Sequence, residues 1–471
     1  MKALLLLALI AMLMPAAATA GVRPRYGGEL RVLLPSPPLE FDPARMNSFA
    51  DLAAARATQA TLLEHDSRGA LRPGLLETLP APEDGGRSYR LRLAPGLRFQ
   101  DGEPIAASDV AASLARLAGP PSIHAWLTSS IAGAHAVKHG HARLIAGIEV
   151  LSERELRITL SYPFLDFPQA LAALPSAIVR VDKGGNLVGA GAFRPGGERR
   201  FQAFDDCEGG RPFADSLALA GADARAAAPA LADHRADIAI RPELVEGGSH
   251  LETAPLGLVM AIVSQRLGPT ARGTWVALDA VDRRELTRFV RAPAAPLNSL
   301  LPASREKGAP RGAVPMPLPR KITLSFPDNS DALRAAAARI QVSLYDRGVK
   351  VALETTPARL FAARLASGDF DVALLPVWLV SPVPALALAQ IAAATGGFER
   401  AARVLAQAAG ADAVALSRLS SSLETDLLAV PLFSTGLRVA AREGVEGLWL
   451  HEDGTPELGD AWLWPEGSRG P

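Results

Sequence analysis

Between residues 322 and 378 the chain alternates strand, helix, strand, helix and strand, and this alternation constrains the fold more than any other stretch. ITLSF (322–326) reads as a buried strand. An Ala-rich helix is expected from about Asp331 to Arg347, stopped by a left-handed Gly348, and VKVALET (349–355) follows as the next strand. A short helix is expected around 357–367, and FDVALLPVW (370–378) as a third strand. Strands joined through helices run parallel, and such sheets hold ligands beyond the carboxyl ends of their strands. Attention therefore falls on the segment from Trp378 to Pro384.

The rest of the chain mixes strands and helices in the same way, which points to an α/β fold. GELRVLLPS from Gly28 reads as a buried strand followed by a Pro-rich loop, and a helix is expected from Phe49 to about Leu63. Tyr89-Arg-Leu-Arg-Leu alternates as a half-buried strand does, Ser108 is placed to cap a helix, and GIEVLSERELRITL (147–160) reads as a hairpin turning at Ser152-Glu153-Arg154. At 471 residues the chain exceeds a single ordinary core, so two or three domains are expected.

Residues 1–20 carry one Lys, an apolar run from Ala3 to Met14, Pro15 and the small-residue pattern Ala18-Thr19-Ala20, the layout of a cleavable export signal. A mature chain beginning at Gly21 is expected, and a periplasmic location with it. Without those residues the 49 basic and 49 acidic side chains become 48 and 49. That balance gives no electrostatic reason to expect nucleic acid as a partner. The single cysteine, Cys207, cannot form an internal disulfide and lies too far from the cleavage site to carry a lipid anchor.

A series of segments resembles the extracellular solute-binding proteins of family 5, the dipeptide, oligopeptide and nickel-type receptors. These are GGELRVLLPSPPLEFDPA, LLEHDSRGALRPGLLETL, YRLRLAPGLRFQDGEPIAASDVAASLARL, WVALDAVDRREL, ARIQVSLYDRGVKVAL, SGDFDVALLPVW and a terminal DAWLW, in family order. The resemblance implies a bilobed clamp of the type II periplasmic-binding-protein kind, with discontinuous domains joined by a hinge and an extra inserted subdomain. Lobe I would comprise 21–62, 180–262 and 431–471, with the insert at 63–179 and lobe II at 263–430. It further implies a small-molecule ligand in the cleft, an inner-membrane ABC permease as partner, a monomer, no cofactor and no catalysis. The Phe99-Asp101-Gly102 signature reads as a structural turn.

Peptide-binding relatives place an Asp three residues after the Trp of the third strand, where it pairs with the ligand's amino group. Here Ser381 occupies that position. A neutral hydroxyl cannot supply the charge-assisted bond, worth roughly 1.5–3 kcal/mol, that holds a buried ammonium. Standard dipeptides are therefore expected to bind poorly unless another acid, such as Asp369 or Asp371, takes over. Trp378, Leu379, Val380 and Ser381, with Phe433 and with Ser36 and Phe41 from the loop after the opening strand, form the expected lining. Their character suggests an apolar or neutral ligand. A peptide receptor, a nickel or metallophore receptor, and a ligand-sensing or delivery protein without a permease are the alternatives.

Two rival chemistries are weighed. His135, His139 and His141 lie within seven residues, and the first two stand one helical turn apart, a spacing that suits Zn or Ni. No carboxylate or thiol is close in sequence to complete such a site, so a solvated helix face is the expected reading and no metal is expected. Catalysis is not expected either, because no nucleophile elbow, Walker loop or zinc-protease motif occurs. Cys207 stands in FDDCEGG, where the acids disfavour a thiolate.

Overall fold

The computed structural model describes residues 23–464 except 198, 243–247, 291 and 302–315. The export signal read at 1–20 lies outside the described residues. Among the described residues no helix is long and apolar enough to cross a membrane.

Two large sheets organise the chain. The first has seven strands in the order Phe193–Gly197, Arg200–Ala203, Ser216–Gly221, Glu29–Leu34, Ile238–Arg241, Arg438–Ala441, Ser249–Glu252. Its opening strand, Glu29–Leu34, is central and runs parallel to both neighbours. The second sheet has six strands in the order Ala294–Pro296, Ala429–Thr435, Gly257–Val263, Val372–Trp378, Lys321–Pro327, Lys350–Thr356. The expected parallel unit is present here: Lys321–Pro327 pairs parallel with Lys350–Thr356 and with Val372–Trp378. Its helix spans Asp331–Tyr345, capped by the Ser330 hydroxyl, and Gly348 (φ +82°) takes the left-handed turn.

Between the first lobe's pieces sits a third unit, a four-stranded sheet ordered Pro82–Glu83, Ser88–Arg92, Glu155–Thr159, Ile148–Ser152. The hairpin turns at Glu153-Arg154 as read. The helix Ala107–Ala118 starts before Ser108: Ala106 is the cap position, and the Asp109 carboxylate reaches back to accept its amide at 2.8 Å. The helix expected to reach Leu63 stops at Thr58. There the buried Gln100 amide donates to the carbonyls of Thr58, Gly191 and Phe193, tying the helix end to the glycine-rich stretch. Gln100 sits inside the Phe99-Asp101-Gly102 signature, so that signature joins the insert to the first lobe.

The chain passes between the two large sheets at 253–256 and 436–437. Both crossing segments are bonded to each other, Thr253 N to Leu437 O at 2.9 Å and Leu437 N to Thr253 Oγ1 at 2.8 Å. The strands Gly257–Val263 and Ala429–Thr435 lie wholly in the second sheet, so the passages fall outside the expected boundaries at 262 and 431. Both strands are almost fully buried, and a continuous apolar run carries no mark of the sheet it joins.

Alternation along Val372–Trp378 divides the core: Val372 and Leu374 pack with the βαβ helix, while Ala373, Leu375 and Val377 face the cluster shared by the insert and the helix Pro384–Ala408. Trp378 at the strand's end packs against that cluster and the first lobe's core alike.

Candidate functional site

Trp378 crosses from the second sheet into the first lobe. Its ring meets Phe49 edge-on at 5.0 Å, and its Nε1 donates to the Asp453 carbonyl at 3.0 Å. Gly257 and Gly454 make room for it: a Cβ at either position would lie 3.1 and 3.3 Å from the indole, and Gly454 also holds φ +80°.

Beyond Trp378 the chain is clamped by Gln390, which accepts the Val380 amide at 2.9 Å and donates to the Trp378 carbonyl at 2.8 Å. Ser381 then accepts the Val383 amide at 3.2 Å, ahead of the helix Pro384–Ala408. This places Val380, Ser381 and Pro382 on the wall of a small, partly open cavity. The other walls come from far away in sequence: Arg56 on the first helix, His65 and Gln169 on the insert, and His451, Glu452 and Asp453 near the C-terminus.

The lining is mixed, with Ala172, Ala173, Val380 and Pro382 beside a set of ionic side chains. Arg56 donates to Asp453 at 2.7 Å, with both side chains under 10% exposed (9% and 7%), and also to Thr455 at 3.1 Å. Burial alone would raise the Asp453 pKa, but Arg56, His451 and the Thr455 hydroxyl and amide outweigh it and hold the carboxyl below its ordinary value. His65 Nε2 lies 2.7 Å from Gln169 Oε1 and 3.4 Å from Glu452. Burial, with Arg56 adding to it, lowers the His451 pKa despite the Glu457 carboxylate at 3.0 Å, and its Nδ1 is buried without a partner. Next to His65, burial pushes Glu64 up to about 7, with Arg72 opposing it.

The expected lining divides on inspection. Val380 and Ser381 border the cavity. Leu379 is buried in the core instead, and Phe433 is fully buried in the core of the second sheet. Ser36 packs behind Gly221 and Phe41 tilts over Phe201 at 5.9 Å, and neither borders this cavity. The cavity wall therefore combines Val380, Ser381 and Pro382 with charged residues from elsewhere in the chain, while Leu379 turns into the core. Asp369 and Asp371 cannot serve as substitute anchors, since both hold Arg266 (2.7 and 2.9 Å) at the opposite end of the strand from Trp378. Arg56, His65, Gln169 and His451 to Asp453 carry no local motif that would have flagged them. Cys207 is pushed up to about 11 by burial, with Glu208, Glu457 and Glu64 adding to it, which disfavours a nucleophilic role.

Two sheets bridged by a pair of short crossings, with a polar cavity at the seam, define a two-lobed periplasmic-binding-protein fold. Residues 70–246 match the family model of bacterial extracellular solute-binding proteins, family 5 middle region. The glutathione-binding protein GsiB of Escherichia coli (strain K12) is 27% identical over 139 residues, which is 30% of this chain and 25% of that protein. The match thus spans a quarter of the length of these curated relatives. Among solved structures, the E. coli murein tripeptide binding protein MppA superposes with a TM-score of 0.79 at 18% identity, covering 94% of this chain and 99% of that one. NikA from Brucella suis in complex with Fe(III)-EDTA gives 0.73 at 17% identity, covering 93% and 100%. Over residues 70–246 the chain is thus similar to the family 5 solute-binding proteins, and its fold is the one that MppA and NikA share.

Proposed function

We propose that this protein is the periplasmic solute-binding component of an ABC importer, closing over a small polar organic solute beside Ser381 and handing it to an inner-membrane permease without chemistry. The observation that carries this reading is the convergence of Arg56, His65, Ser381, His451 and Glu452 on one cavity where the lobes meet. MppA and GsiB are named for a tripeptide and for glutathione, and NikA was solved with a metal chelate, so small polar solutes suit this fold.

Of the acids on the wall, Asp453 is committed to Arg56, whereas Glu452 has only His65 beside it and is 30% exposed. Glu452 is therefore the group able to receive a solute amine in place of the Asp that Ser381 replaces.

Mass spectrometry of the protein purified without denaturant tests this. A small polar molecule should be retained by the wild type and lost from Glu452→Gln at an unchanged melting temperature. Equal retention by both proteins would overturn the assignment of the cleft. So would an empty wild type whose melting point is unmoved by amino acids, short peptides, amines and metal chelates.

A further inference from the structure

We propose that His135, His139 and Glu399 form a transition-metal site that clips the inserted subdomain to the long helix of the second lobe. His135 and His139 stand one turn apart on and just after the short helix Ala134–Lys138. The carboxylate that their neighbourhood in sequence lacks arrives from the helix Pro384–Ala408. That helix breaks at Gly397 (φ 72°, ψ −169°), immediately before Phe398 and Glu399.

The three ligand atoms lie within 4.8 Å of one another. Glu399 Oε1 is 2.9 Å from His139 Nε2 and 3.9 Å from His135 Nδ1. The second distance is too long for a hydrogen bond, so the His135 ring turns towards the carboxylate without being satisfied by it. A cation between the three atoms would engage all of them. Phe398 supports the arrangement by packing edge-on against His135 (4.8 Å between centroids) and His139 (6.4 Å). His141, grouped with the pair on sequence spacing, lies beside His139 at 6.2 Å between rings but outside this triplet.

Two imidazoles and one carboxylate suit Zn²⁺, Ni²⁺ or Cu²⁺ and not Ca²⁺ or Mg²⁺, which take oxygen ligands. All three side chains are exposed, so an ion reaches them from solvent and a fourth position stays open to water. None of them borders the Ser381 cavity, so this site lies apart from the solute cleft. Its two sides belong to different units: the histidines follow Trp126 and Leu127 in the insert, whose side chains share a core with the start of the Pro384–Ala408 helix. An ion here adds a further tie between the insert and the Pro384–Ala408 helix, and by mass action it stabilises the folded chain.

The test is titration of the tag-free mature protein with Co²⁺ and Zn²⁺, following the Co²⁺ visible spectrum and the melting temperature. The wild type should bind one equivalent, with a tetrahedral or five-coordinate Co²⁺ spectrum displaced by Zn²⁺ and a raised melting temperature. His139→Ala and Glu399→Gln should each weaken binding by more than an order of magnitude, while His141→Ala should leave it intact. Because the three residues are exposed, these variants should fold as the wild type does. Absence of stoichiometric binding to the wild type, or wild-type affinity in either the Glu399→Gln or the His139→Ala variant, would overturn the proposal.

Discussion

Asp237→Ala should destabilise the protein by about 3–5 kcal/mol. Asp237 is fully buried at the start of the strand Ile238–Arg241. Its carboxylate accepts the Arg31 amide at 2.7 Å, both ends of the Arg31 guanidinium at 3.1 Å, and Arg442 Nε at 2.7 Å. Its own backbone joins the same two residues, donating to Arg31 O and accepting from Arg442 N. One carboxylate thus locks three neighbouring segments of the seven-stranded sheet. Without it two guanidiniums lose their shared acceptor, and the Arg442 side chain is only 11% exposed. Denaturant unfolding should show the loss. Glu29→Ala, which removes the solvent-exposed Glu29–Arg200 pair, should cost less than about 1 kcal/mol in the same assay. Similar midpoints for the two variants would contradict this account of the lobe.

Asp453→Ala should cost a similar amount, about 3–5 kcal/mol, by leaving Arg56 buried and unpaired. The cost should be partly relieved by a second change. Arg56→Met in the Asp453→Ala background removes the stranded charge, so the double variant should melt above the single one. This reversal separates an electrostatic cause from mere loss of packing, which a second truncation would worsen. A double variant that melts below Asp453→Ala would show that the pair acts through packing.

The architecture was legible where local chemistry is decisive. Buried apolar runs marked the strands of the second sheet, Ser330 and Gly348 bracketed its helix, and the Glu153-Arg154 turn marked the hairpin. Of the candidate cavity's wall, Val380 and Ser381 were legible, because a strand end in a parallel sheet is a positional rule while its opposing wall is not. Arg56, His65 and Glu452 are brought there by crossings that no local pattern announces. Phe433 misled because its strand is buried on both faces, so that alternation cannot say which side chains turn to a cleft. Leu379 differs from its neighbours Val380 and Ser381 for a related reason: an apolar residue beside a cavity belongs first to the core, where Leu379 is buried. The metal triplet was incomplete in sequence for a plain reason. Its carboxylate lies 260 residues from His139, on a helix whose break at Gly397 only the folded chain reveals.

The central claim is that two lobes joined at 253–256 and 436–437 close over a solute held beside Ser381. Small-angle X-ray scattering on the wild type, stripped of bound molecules and then saturated with the solute recovered from it, tests that claim most directly. The radius of gyration should fall on saturation as the lobes close, and Glu452→Gln should keep the open value at the same solute concentration. A radius that stays unchanged in the saturated wild type would contradict the clamp.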